Sequence, residues 1–146
     1  MQSPRVLVAE EVQFSGHAMV RATHGSTIEV TTERHLSPSG DCIVGVCATK
    51  GLSQLSPSMK SALRSDSARV RITIVAPGGR HSFSARGSKD LPLSSPTAMV
   101  IRTSSFVCPR TLAVLAETPA RGLPRSLVGS LKSPEASGLL RIEVTD

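Results

Sequence analysis

The sequence predicts a mainly β fold of the α+β class, built from two copies of a strand-strand-helix-strand unit that share one core. Three observations lead there. Apolar and polar residues alternate in several short runs, two sets of helix-spaced Leu and Met each follow a proline, and both features recur in the same order. A chain of 146 residues at 39% hydrophobic suffices for a single domain spanning 1–146, with repeat halves at approximately 8–75 and 80–144.

In the first half, Val12 and Phe14 lead into Gly16. Thr27-Ile28-Glu29-Val30-Thr31 alternates, so Ile28 and Val30 share the buried face of a strand. Ser37-Pro38-Ser39-Gly40-Asp41 supplies turn chemistry, and the apolar run from Cys42 to Ala48 predicts a buried strand. Ser56-Pro57 has the form of an N-cap followed by proline at the first helical position. Met59, Ala62 and Leu63 then fall at helical spacing, which predicts a short helix to about Arg64. Arg69 to Val75 alternates, and Ala76-Pro77-Gly78-Gly79 turns the chain into His81–Arg86 as a hairpin.

The second half repeats this order. Phe83 and Ala85 precede Gly87 as Val12 and Phe14 precede Gly16. Thr97–Ile101 corresponds to the strand from Thr27, and Leu112–Ala116 to the strand before Ala48. Leu123, Leu127 and Leu131 match Leu55, Met59 and Leu63, while Leu140-Arg141-Ile142-Glu143-Val144 matches Val70-Arg71-Ile72-Thr73-Ile74. A unit of about seventy residues leaves one sheet face wet and its strand edges unpaired, so the halves are expected to interlock. The expected form is a pseudo-twofold β-barrel with the two short helices at its ends. Such an arrangement resembles the cradle-loop barrels. Gly40-Asp41 before a buried strand is similar to the glycine-aspartate turn of that group, and Pro109-Arg110 stands there in the second half.

Composition narrows the function classes. The net charge is +6, and from Lys60 to Lys89 the chain carries Lys60, Arg64, Arg69, Arg71, Arg80, Arg86 and Lys89 against Asp66 alone. This excess suits a phosphate-bearing ligand, nucleic acid or an acidic partner. Phe14, Phe83 and Phe106 are the only aromatic residues, which disfavours single-strand binding by base stacking. Three cysteines make neither a disulfide framework nor a zinc set, and are expected as small buried hydrophobes. No apolar stretch approaches the ~20 residues of a membrane span, and no signal peptide is visible, so a soluble cytoplasmic protein is expected. Ala76-Pro77-Gly78-Gly79 lacks the Lys-Ser or Lys-Thr of a phosphate loop.

Three segments, Gly16-His17 through Thr23-His24, Gly40 through Val46, and Phe106-Val107-Cys108-Pro109-Arg110-Thr111-Leu112-Ala113, together resemble an archaeal family of uncharacterised proteins, domain of unknown function 371. The resemblance covers nearly the whole chain and implies an archaeal cytoplasmic protein of this duplicated type. It lends no activity. Members often carry a second histidine-containing segment, where this chain has Ser88 and Ser95.

The candidate site residues follow from these comparisons. His17, Arg21, Thr23 and His24 lie in an irregular stretch between strands, where functional groups concentrate, and Thr27 and Asp41 are close along the chain. His17, His24 and Asp41 are a conceivable donor set for zinc, iron or nickel, though their spacing matches no compact metal motif. The alternative is two separately hydrogen-bonded histidines. Ser15, Ser26 and Cys42 are candidate nucleophiles beside them, without a nucleophile-elbow pattern. His35 and His81 are assigned to the surface with no role. Arg71 and Arg141 hold equivalent outward positions, and Arg102 and Arg110 flank the second strand-turn-strand. They line a groove for a phosphate-bearing ligand or form ordinary ion pairs with Glu29, Glu33, Glu117 and Glu143. The function expected is a non-enzymatic binding module with a basic surface for nucleic acid or an acidic partner. The alternative is a small-ligand or metal-binding protein or enzyme using His17 and His24. Enzymatic activity, cofactor and a homo-oligomeric state are left open by the sequence.

Overall fold

A computed structural model describes residues 4–37 and 39–146; Pro38 of the expected turn lies outside the described residues. The chain runs β1 (Val6–Ser15), β2 (Thr27–Thr31), β3 (Ile43–Gly45), α1 (Pro57–Leu63), β4 (Arg69–Ala76), β5 (Gly79–Arg86), β6 (Ala98–Arg102), β7 (Thr111–Ala113), α2 (Arg125–Ser130) and β8 (Ser137–Thr145). One-turn 3-10 segments, Leu52–Gln54 and Ala120–Gly122, precede the two helices. The fold is mainly β with two short helices.

The strands form two four-stranded sheets. One has the order β1-β8-β4-β5 and is antiparallel throughout. The other has the order β3-β2-β6-β7, with β2 and β6 antiparallel at its centre and β3 and β7 parallel to them at the edges. Sequence-distant strands therefore make both sheet centres.

No continuous ladder closes these sheets into the barrel expected from the sequence. They meet at single bridges, Ser15 with Val46 and Arg86 with Val114, each made of two N–H···O bonds of 2.8–2.9 Å. The physical reason lies just after each bridge, where Cys47 and Leu115 adopt left-handed backbone (φ 54° and 53°). That conformation turns the chain out of a ladder after one pair. The predicted strand from Cys42 to Ala48 is accordingly only Ile43–Gly45, and its counterpart only Thr111–Ala113.

Alternation fills the space between the sheets. Val12 and Phe14, Val70, Ile72 and Ile74, and Leu140, Ile142 and Val144 face inward from the first sheet; Ile28, Val30, Met99 and Ile101 do so from the second. The helices add Met59 and Leu63 from α1 and Leu127 from α2, each fully buried. Burying such side chains stabilises by about 1.5–3 kcal/mol each, which is why elements this short hold their place. Ser56 caps α1 as predicted, its hydroxyl accepting the Met59 N–H at 3.1 Å.

Strand ends dock on helix ends across the sequence. Gly16, after β1, donates its N–H to Ala136 O, and the next residue donates to Leu131 O, beyond α2. Gly87, after β5, likewise donates to Ala68 O, beyond α1, and Ser88 to Leu63 O at the end of α1. A Cβ at Gly16 would lie 2.3 Å from Ser133 O, and one at Gly87 2.3 Å from Leu63 O. Backbone oxygens cannot swing aside as a side chain does. Gly87→Ala is expected to lose about 2–3 kcal/mol in urea unfolding, whereas Gly129→Ala, with nothing within 4 Å, should gain about 0.5–1 kcal/mol as a helix-interior glycine.

Candidate functional site

The expected site residues are divided among three places. His24, Thr27, Arg102 and Arg110 belong to the outer face of the second sheet, where Thr27 pairs with Arg102 across β2 and β6. Asp41 borders them, its carbonyl accepting the N–H groups of Thr23 and His24 at 2.9 and 3.2 Å. His17 stands beside the end of α2, and Arg21 is exposed in the loop, with its carbonyl accepting from Arg125. Arg71 projects from the other sheet.

The two histidines act on their own turns. His24 Nδ1 accepts the N–H groups of Ser26 and Thr27, both at 3.1 Å, and the Thr27 hydroxyl at 3.1 Å. His17 Nδ1 accepts the Met19 N–H at 3.0 Å. With Nδ1 as acceptor, each neutral ring carries its proton on Nε2. In the second half the serine hydroxyls do the same work: Ser95 accepts from Thr97 and Ala98, and Ser88 from Asp90. Imidazole Nδ1 and serine Oγ thus serve these turns as acceptors of the same kind. Among the described residues no three His, Cys, Asp or Glu side chains gather where they would hold a metal.

Beside Thr27 the outer face is covered by the loops around Asp41 and Cys108. Glu29 is only 7% exposed there and pairs with Arg110 at 2.7 Å, while the Cys42 thiol donates to the same carboxylate at 3.6 Å. Burial, and next the Glu29 charge, push the Cys42 thiol up to about 11. Cys108 is the converse. Burial alone raises it, but donors outweigh this: the Arg110 N–H at 3.4 Å, the Thr111 hydroxyl at 3.6 Å and Arg102 Nη2 at 3.3 Å. Its thiol is held below the usual range. Arg102 also bonds Thr111 Oγ1 at 2.9 Å and lies 4.9 Å from the centre of the exposed Phe106 ring. The expectation that all three cysteines are buried is corrected here. Cys47 is exposed because its left-handed backbone leaves the sheet, and the other two are part-exposed in loops that end at short strands.

Among the described residues no buried side-chain nitrogen or oxygen is left without a partner.

The first sheet differs. Its outward face carries Arg69 and Arg71 from β4 and Arg80 and Arg86 from β5, all exposed. Arg69 stands directly opposite Arg86 in the register, and Arg71 opposite Ser84 on one side and Glu143 on the other. Glu143 is taken by Arg141, which also binds Glu11 at 3.0 Å. The ion pairs expected from the sequence thus exist for Arg110 and Arg141. Among the described residues Arg69, Arg71, Arg80 and Arg86 have no carboxylate within 4.0 Å. Two other cations of the basic run serve the fold: Lys60 Nζ bonds Ser53 O, and Arg64 bonds the carbonyls of Leu91 and Pro92. Sequence counting could not separate these from the free four. His81, expected at the surface, is part-buried, stacking on Phe83 at 5.9 Å and bonding Thr118.

Comparison with known proteins fits this picture of a described fold without an assigned reaction. Residues 12–145 match the family described as Domain of unknown function (DUF371). The chain belongs to this family. It is 39% identical over 121 residues to an uncharacterised protein of the archaeon Methanocaldococcus jannaschii, covering 83% of this chain and 89% of the relative. Membership in DUF371 brings no activity with it.

Two outcomes follow from the site. His24→Ser should keep the melting temperature within about 2 °C, whereas His24→Ala should lower it by about 4 °C through two unsatisfied N–H groups, measured by circular dichroism. At pH 8, peptide mapping after a brief iodoacetamide pulse should find Cys108 labelled at least about tenfold faster than Cys42, because the thiolate reacts.

Proposed function

We propose that this member of DUF371 is a cytoplasmic, non-enzymatic binding module that holds an anionic partner on the outward face of the β4–β5 hairpin. The carrying observation is the cross-strand pair Arg69–Arg86, like charges directly opposite with no carboxylate within 4.0 Å among the described residues. Such a pair costs stability, about 0.2–1 kcal/mol, and a bound anion relieves it. Arg71 and Arg80 extend the same face. The histidine alternative has less support, since both Nδ1 atoms are occupied by backbone N–H groups.

The scaffold we propose is the duplicated one, halves 8–75 and 80–144 interlocked about a pseudo-twofold axis as in cradle-loop barrels. Its support is the recurrence of unusual features at corresponding places. Ala22 and Leu93 pair with each other in this sense, as do Cys47 and Leu115, all four with positive φ. Gly16 and Gly87 dock on the helix ends in the same way, and the bridges at Ser15–Val46 and Arg86–Val114 fall at matching positions.

Retention on a heparin column over a salt gradient tests the basic face. The native chain should elute at several hundred millimolar salt, and Arg69→Ser with Arg86→Ser should elute far earlier while melting at the same temperature or higher. Early elution of the native chain, or a double variant that elutes unchanged, would contradict the reading.

A further inference from the structure

The Arg69–Arg86 pair lies between two clefts. Arg69 and Arg71 line one of about 370 Å³ together with Ser82, Ser84 and Thr145 and the apolar Val70 and Phe83. Arg86 lines another of about 440 Å³ with Ser88 and Ser105. The first cleft thus has two arginines and the second has one, each beside hydroxyl residues, and both side-chain types contact phosphate oxygens. Each also contains one carboxylate, which keeps its charge and is held at the rim by a backbone N–H. Glu117 Oε1 accepts the Ser84 N–H at 2.7 Å, and Asp66 Oδ1 accepts the Lys89 N–H at 2.9 Å.

Two such stations joined through one arginine pair suit an anion that repeats along a polymer rather than a single small anion. The cations stand on paired strands, so their spacing is set by the sheet. Neighbours on one strand face are about 7 Å apart and the cross-strand pair about 5 Å apart at Cβ. A double helix offers one charge per ~1.7 Å of its axis in a rigid array, which meets fixed cations without an ordering cost in the polymer. Base reading has no instrument here. Phe83 points into the core at 5% exposure, Phe14 is buried as well, and the exposed Phe106 follows the second sheet's β6.

We infer that the β4–β5 face binds the phosphate backbone of a double-stranded nucleic acid, its four arginines each meeting a phosphate and two of these phosphates seated in the clefts beside Arg69 and Arg86. This rests on the anion-binding role given to the same face above. Recognition is through the backbone and is independent of base sequence.

Fluorescence anisotropy with a labelled 20-base-pair RNA duplex, the matching DNA duplex, a 20-nucleotide single strand and poly-glutamate tests it on the full chain. One duplex or both should bind at least about tenfold tighter than the single strand and poly-glutamate at 0.1 M salt. Four arginines predict a log–log salt slope of about −3 to −4. Arg71→Ser and, separately, Arg80→Ser should each flatten that slope by about one while retaining the native melting curve, with no change in preference between duplex sequences. Equal or tighter binding of the single strand, or of poly-glutamate, would overturn the duplex assignment and leave the anionic face standing. Salt-sensitive binding to none of the four would overturn both.

Discussion

Everything in this fold depends on two places where backbone lies against backbone from the other part of the chain. Gly16 sits on the carbonyls of Leu131 and Ser133, and Gly87 on those of Leu63 and Ser65. At both, a strand from one half ends on the loop that follows the helix of the other. Neither contact tolerates a Cβ, so each depends on glycine by simple exclusion of volume. The exchange sets β1 beside β8, the Pro77-Gly78 turn sets β5 beside β4, and β2 and β6 pair at the centre of the second sheet. A core enclosed this way belongs to both halves, so the proposed duplication gains stability only when both copies are present.

The same topology gives the two sheets opposite outer faces. On the second sheet the loops around Asp41 and Cys108 bring the part-buried Cys42 and the half-exposed Arg110 against the buried Glu29. A carboxylate placed there needs its guanidinium, since an uncompensated buried charge would cost several kcal/mol. The region is polar but closed on itself. On the first sheet β4 and β5 present Arg69, Arg71, Arg80, Ser84 and Arg86 to water, with Thr73 buried among them and bonded to Ser82. An electrostatic surface without partners of its own is the part of the molecule best suited to contact something else.

Much of the architecture was legible because it rests on local chemistry. The Ser56-Pro57 helix start, the hairpin through Pro77 and Gly78, and the inward residues of β2, β4, β6 and β8 all follow from period and turn type. Ser88 and Ser95 bond their own turns as His17 and His24 do, each accepting the N–H two residues further on. What the sequence hid was conformation that residue type does not announce. Cys47 and Leu115 have ordinary side chains in left-handed backbone, so the apolar runs around them read as long buried strands. Cys108 owes its character to Arg102, Arg110 and Thr111, and only the fold brings Arg102 to its sulfur. Likewise, Lys60 and Arg64 look like surface cations until their carbonyl partners are seen.

The central claim is that both sheets enclose one interior and open together. Native-state hydrogen exchange on the intact protein tests it most directly, by comparing amides of Val30 and Ile101 in the second sheet with those of Ile72 and Ile142 in the first. A shared interior predicts that all four exchange only through global unfolding, with free energies equal to one another and to the value from urea denaturation. Two separate sets of values, one per sheet, would contradict it.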